Sequence, residues 1–243
     1  MSTTLAVITG ASRGIGAGIA AAAEADGAVV AVCNRSASDF GRQLTADLAK
    51  PSSWPLLEEW VNELVDEVRP EQLVFVHNAA TLTPIGFAGE VDGDDYATNV
   101  LLNSAAPQVL GDAIARIART RGLPTLIIQL SSGAGKTAYQ GWSSYCAAKA
   151  AVDRWVECVG VEQANRGDRL RAVSISPGVV ATDMQAEIRE SDAGAFPEVE
   201  RFRSLHSDGH LGDPTAVGAR IWGLVHTADV ANGAVIDLRD LGG

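Results

Sequence analysis

At 243 residues and 47% hydrophobic content, the chain is long enough for one large α/β domain and too ordinary in composition for a disordered or fibrous protein. A formal net charge of −11 argues against nucleic acid and anionic membrane surfaces as partners. Cys33, Cys146 and Cys158 lack metal-ligand spacing and cannot all pair, which fits a reducing compartment; with no signal-like N-terminus and no bilayer-length apolar run, the expectation is a cytoplasmic protein.

Leu5 to Thr9 reads as a short apolar strand. Gly10-Ala11-Ser12-Arg13-Gly14-Ile15-Gly16 follows, then an alanine-rich helix to about Asp26. A glycine-rich turn from a strand into a helix lets backbone amides approach a phosphate, and the helix dipole favours the negative charge. The spacing is Gly-x-x-x-Gly-x-Gly, not Gly-x-Gly-x-x-Gly, and the alternative is a tight turn that binds nothing. Its position, strand before and helix after, points to a dinucleotide. Ala28 to Cys33 is the second strand. It runs into Asn34-Arg35, where an acid would signal NAD, and no acid is present. Arg35, with Arg13 in the glycine turn, is placed to meet a 2′-phosphate, which favours NADP over NAD.

Ser38 to Leu48 is expected to be helical, and Lys50 to Pro55 a loop. Pro55 opens a helix to about Val68, with Leu56, Leu57, Trp60, Leu64, Val65 and Val68 at helical spacing as core. Gln72 to His77 is the third strand. Asn78-Ala79-Ala80 ends it, and Asn78 either braces the glycine turn or caps a turn of its own. Gly93 to about Arg121 is a long helical stretch carrying Asn99, with Pro107 as its expected interruption. An asparagine in such a helix is often simply solvated or bonded to backbone.

Thr125 to Leu130 is a buried strand that leads into Ser131-Ser132-Gly133-Ala134-Gly135-Lys136-Thr137. The last five of these resemble the tail of a phosphate-binding P-loop. The first glycine of that motif would fall at Leu130, so nucleoside triphosphate binding is not expected. A helix from about Ser143 to Ala164 puts Tyr145 and Lys149 on one face. A free tyrosine titrates near pH 10, and bringing it to neutrality takes about 4 kcal/mol. One ammonium about 4 Å away supplies roughly that amount at an effective dielectric near 20. On that arithmetic Tyr145 exchanges protons near neutral pH, with a serine hydroxyl facing it from the strand end. The plainer alternative is a buried tyrosine with an exposed lysine one turn on.

Leu170 to Ser176 is a further strand, broken by Pro177-Gly178. Residues 179–213 read as a lid with short helices, charged and punctuated by glycine. His206 and His210 have Gly209 between them and no third ligand, so no metal is expected. Pro214 starts a helix to about Val225, and Ala234 to Leu238 is a final strand. The alternation gives an α/β, single-domain, Rossmann-type doubly wound parallel sheet with helices on both faces over 1–243.

Thr9 to Gly16, Asn78-Ala79-Ala80, Asn99, Ser131-Ser132, Tyr145-x-x-x-Lys149 and Pro177-Gly178 come in the order and at the separations of short-chain dehydrogenase/reductases. The chain resembles that family over essentially its whole length. Gly141 to Ala150, with Pro177-Gly178 and Thr182-Asp183-Met184, resembles the branch holding sepiapterin reductases and benzil reductases, which use NADPH to reduce a carbonyl, often of a vicinal diketone.

The resemblance implies an NADPH-dependent reductase of ketones or 1,2-diketones. In it Tyr145 protonates the carbonyl oxygen, and Lys149 lowers the Tyr145 pKa and bonds the nicotinamide ribose. Ser132 orients the carbonyl, and Asn99 holds a water in a proton relay. For NADP(H), Gly10, Ser12, Arg13, Gly14, Ile15 and Gly16 form the cofactor turn. Asn34 and Arg35 serve the 2′-phosphate end, and Asp47 with Leu48 meets the adenine. Asn78, Ala79, Ala80, Pro177, Gly178, Val180, Thr182 and Met184 complete the contacts. Ala80 departs from the family's glycine, and its methyl would crowd the cofactor slightly. Tyr139, Trp142 and Val179 are expected around the substrate. Asp240 falls where sepiapterin reductases anchor the pterin, with a solvated terminal acid as the alternative. The family commonly pairs through two long helices, here about Asp95 to Arg121 and Ser143 to Ala164, which implies a homodimer or homotetramer. Competing readings are an NADP-dependent alcohol dehydrogenase working oxidatively, a pterin side-chain reductase, and a non-catalytic NADP sensor.

Overall fold

A computed structural model describes residues 3–167, 169–227 and 230–241. One parallel sheet of seven strands runs in the order β3-β2-β1-β4-β5-β6-β7. The strands are β1 (Thr4–Thr9), β2 (Val29–Asn34), β3 (Arg42–Thr45), β4 (Gln72–His77), β5 (Thr125–Leu130), β6 (Leu170–Ser176) and β7 (Val235–Asp237). The helices are α1 (Gly14–Ala25), α2 (Trp54–Val68), α3 (Gly93–Val100), α4 (Ala106–Arg121), α5 (Ser143–Ala164), α6 (Asp183–Glu190), α7 (Val199–Ser207) and α8 (Pro214–Gly223). β1 pairs with both β2 and β4, so the strand order reverses beside β1, and the crevice beyond the strand ends there is where such sheets take ligands.

The strands are near-continuous apolar runs because both faces are covered. Ala6, Ile8, Val74, Val76, Ile128 and Ile175 face α1 and α8. Leu5, Val7, Leu73, Phe75, Ile127 and Ala172 face α2, α4 and α5. α1 and α8 touch backbone to backbone: a methyl group on Gly18 would lie 2.5 Å from the Pro214 carbonyl oxygen. Among the described residues no helix is long and apolar enough to cross a membrane.

Several expectations change. Leu56, read as core on α2, is exposed, while Leu57, Leu64 and Val65 are buried. The loop expected over 50–55 holds a 3₁₀ turn, Pro51–Ser53, that runs into α2 at Trp54. Residues 38–48 are not helical; Arg42–Thr45 is the edge strand β3, paired in parallel with Ala31 to Asn34. The long helix of 93–121 breaks earlier than Pro107, in a π-helical turn at Leu101–Ala105. Pro107 lies in the first turn of α4, where its missing N–H is tolerated.

Candidate active site

A cavity of about 780 Å³ opens at the C-terminal end of the sheet. The glycine turn supplies Gly10, Ser12, Arg13, Gly14 and Ile15 to its wall, and the end of β2 supplies Asn34 and Arg35. Asp47 and Leu48 follow β3, and Asn78, Ala79 and Ala80 follow β4. Ser131, Tyr145 and Lys149 stand on the β5–α5 side, with Pro177, Thr182 and Met184 opposite.

The turn is braced from beneath. Asn78 Nδ2 donates to Gly10 O at 2.8 Å and Thr9 O at 3.2 Å, which decides in favour of the bracing role. Thr9 Oγ1 accepts the Asn78 and Ala79 amides, each at 3.1 Å. Asn34 Oδ1 accepts the Ala11 amide at 2.7 Å, so this side chain fixes the turn as well as lining the cavity. Gly16 does not line the cavity; it abuts Gly10 O and the Asn78 amide, and any side chain would push α1 off the strand. Ala80 lies outside the left-handed backbone region, so its methyl carries no strain.

These surroundings fit a dinucleotide phosphate. Arg35 forms no ion pair among the described residues, while Arg13 meets Asp183 at 3.0 Å across the mouth, with both side chains mostly in solvent. Ser131 Oγ is buried at the cavity wall without a partner. Among the described residues no cluster of three or more metal-ligating side chains gathers.

Tyr145 and Lys149 lie on the buried stripe of α5. Lys149 Nζ donates to Leu130 O at 2.7 Å and sits 5.6 Å from the centre of the Tyr145 ring. Burial pushes the Tyr145 phenol up to about 12, a hydrogen bond from Ser132 pulling the other way. Burial also lowers Lys149 to about 8, against the pull of Asp153. The lowering of Tyr145 expected from Lys149 is not among the influences on the phenol here, where burial dominates. Ser132 caps the short 3₁₀ turn Gly133–Gly135 by accepting the Ala134 amide at 3.2 Å. That turn resolves the P-loop resemblance: no helix follows Thr137 directly, and Asp153 closes the space at Gly135.

Other predicted residues stand away from the cavity. Asn99 is buried behind it; its Nδ2 donates to Thr83 O at 2.8 Å, and its Oδ1 accepts from Asn103 Nδ2 at 2.9 Å. Asn103 also donates to Thr81 O at 2.7 Å, so the pair fixes the loop after β4. The i, i+4 spacing of the two asparagines was the available signal for Asn103. Trp142 is not a cavity residue: it is buried behind Tyr145 and stacked on Phe196 at 4.3 Å, with Phe202 alongside. Half-buried Tyr139 packs on Trp142 and accepts from Arg201 of α7 at 3.4 Å. Val179 packs on the edge of this aromatic cluster.

Val180 is buried and pairs with Gly212, and Gly212 N bonds Val179 O at 2.9 Å, tying the two ends of segment 179–213 together. The Arg239 stem covers Gly178. Asp240 is exposed on the turn after β7 and does not reach the cavity; the acid at the strand end is Asp237, held by Arg239 at 2.6 and 2.8 Å.

A braced glycine turn, a crevice at the point of strand reversal and a buried Tyr–Lys pair at its wall are the parts of a dinucleotide-dependent oxidoreductase. The short chain dehydrogenase family profile matches residues 4–193. The chain is 34% identical over 241 residues to benzil reductase ((S)-benzoin forming) of Bacillus subtilis (strain 168), covering 97% of this chain and 98% of the relative. It is 28% identical over 264 residues to sepiapterin reductase of Rattus norvegicus, covering 99% and 98%. Among solved structures, the KRED1-Pglu enzyme superposes with a TM-score of 0.82 at 27% identity, covering 97% of this chain and 100% of that one. The chain belongs to the short-chain dehydrogenase/reductase family: it is an oxidoreductase acting on carbonyl or hydroxyl groups, in a family that uses nicotinamide cofactors.

Proposed function

We propose that the protein is an NADPH-dependent carbonyl reductase whose substrates are ketones and 1,2-diketones, with benzil and related aryl diketones as the first to try. Arg35 and Arg13 meet the 2′-phosphate, the glycine turn holds the pyrophosphate, and Lys149 holds the nicotinamide ribose. Bound there, the nicotinamide supplies the hydride. Ser132 donates to the substrate oxygen, and Tyr145 gives that oxygen its proton as negative charge develops. The Lys149 ammonium then stabilises the phenolate left behind. Residues 179–213 act as a lid on one domain, hinged at Gly178 and held at its neck by Val180 and Gly212.

The observation that carries this reading is the Tyr145–Lys149–Ser132 grouping beside the dinucleotide crevice. Leu82 and Met184 add apolar walls, Met184 Sδ being 4.0 Å from the Tyr145 oxygen, which suits an aryl ketone. The test is NADPH oxidation with a panel of ketones and diketones, with Tyr145→Phe beside the wild type. The variant should lose roughly 10²–10⁴-fold in turnover while still binding NADPH. Turnover persisting near the wild-type rate would remove Tyr145 as proton donor.

A further inference from the structure

The buried stripe of α5 carries a second charge that the reaction does not use. Asp153 lies one turn beyond Lys149, and the two residues are only 9% and 4% exposed. Ser174 Oγ on β6 donates to Asp153 Oδ1 at 2.5 Å. On the other side, a methyl group on Gly135 would come within 2.5 Å of Asp153 Oδ2. The carboxylate is thus wedged between β6 and the turn that Ser132 caps. A buried carboxylate without an opposite charge is costly and rarely kept. Lys149 in turn directs its Nζ at Leu130 O, an uncharged acceptor. Two buried charges of opposite sign therefore lie one helical turn apart, each in contact only with neutral groups among the described residues.

We propose that Asp153 is a positioning residue for Lys149: its carboxylate is the fixed countercharge that keeps the buried amine an ammonium, and its seat between Ser174 and Gly135 locks α5 to the Ser132 turn. This rests on the reading of Lys149 as a working member of the site. Among the described residues its surroundings supply no other anion. Tyr145 on the same helix is a protonated phenol, and His77 on β4 is held neutral by burial, its pKa lowered to about 3. The neighbouring strands and turn contribute Gln129, Ser131, Ser174 and Gly133 to Gly135, none of them charged.

The chain has three lysines, Lys50, Lys136 and Lys149, so the ε-carbon of Lys149 can be followed by NMR in the protein without cofactor, with Lys149→Met giving the assignment. Asp153→Asn keeps an acceptor for Ser174 but removes the charge, and should lower the Lys149 titration midpoint by roughly one pH unit or more. Ser174→Ala keeps the charge and should leave the midpoint within a few tenths. In turnover, Asp153→Asn should lose more at pH 9 than at pH 6, whereas a purely structural defect would lower both alike. A Lys149 titration in Asp153→Asn that superimposes on the wild type overturns the proposal. Should that variant not fold, Lys149→Met and Lys149→Met/Asp153→Asn decide: compensation predicts that the double variant melts above the single one, and a double variant melting at or below it overturns the proposal. Failure of the reductase reading is separate, seen as wild-type protein that does not oxidise NADPH with any carbonyl of the panel.

Discussion

Beneath α1 and α8 the sheet presents Ile8, Val76, Ile128, Leu130 and Ile175, an unbroken apolar surface. Beneath α4 and α5 the same strands end in Thr9, His77, Gln129, Ser131 and Ser174, all buried and polar. Neighbouring residues along a strand point to opposite faces, so a one-residue step separates Val76 from His77 and Ile128 from Gln129. The difference shows how one sheet divides its work. One face gains stability from close apolar contact. The other accepts the cost of buried polar groups because the Tyr145–Lys149 helix lies on it, and most of those groups find partners, such as Gln129 Nε2 donating to Pro107 O at 2.9 Å.

The harshest way to break this comparison is on the apolar face. Gly218 lies against the Gly18–Ile19 backbone, so Gly218→Val should force α1 and α8 apart and abolish folding, or lower stability by 3 kcal/mol or more on the order of the worst overpacking cases. Circular dichroism melts would show it; an unchanged melt would mean the helices do not meet there. At the rim of the polar face, Arg35→Glu should raise the KM for NADPH by about 10- to 100-fold and affect NADH less, as expected for loss of a charge-assisted phosphate contact. Equal effects on the two cofactors would remove that contact.

A third measurement is the pH profile of reduction. Lys149, lowered to about 8 by burial, is an ammonium below that pH, so kcat/KM should be flat from pH 6 to near 8 and then fall up to about tenfold per pH unit. A profile still flat at pH 9.5 would separate the amine from the chemistry. The smallest effect concerns His77. Its folded pKa, near 3, lies below the unfolded value of 6.5, so the unfolded chain binds the extra proton between them. The stability tied to neutral His77 is complete above pH 6.5 and is lost as pH falls toward 3. His77→Asn should therefore flatten the acid loss, by about 2 kcal/mol at pH 4 as an order of magnitude, in urea melts at pH 4 and 7.

Much of the architecture was readable before any coordinates. β4, β5, β6 and α5 begin and end where their apolar runs and flanking glycines and prolines place them. β3 was not readable, because Arg42, Gln43 and Leu44 are only half-buried and Thr45 is exposed, so no apolar run marks them. Pairing with β2, not propensity, makes them a strand. The clue was Gly41, which sits at φ +38° against the Val30 carbonyl and turns the chain back alongside β2. In the site, the glycine turn, Asn78, Tyr145 and Lys149 converge as their spacing suggests. Trp142 and Asp240 do not join them: Phe196 and Phe202 bury the first, and the second is exposed on the turn after β7. Asp153 was invisible because a helix position reveals which face it occupies but not which charge waits opposite.

The backbone crossing of α1 with α8 also constrains how the chain is made. α1 follows the glycine turn directly and is synthesised well before α8, the helix it crosses. Until residues 214–223 arrive, α1 can lie on the sheet strands but its Gly18 side has no partner helix. Domains commonly fold as units during synthesis. Here the glycine turn gains its full backing only once α8 is in place, so a product stopping before residue 214 would lack both that helix and β7 and should hold the crevice poorly.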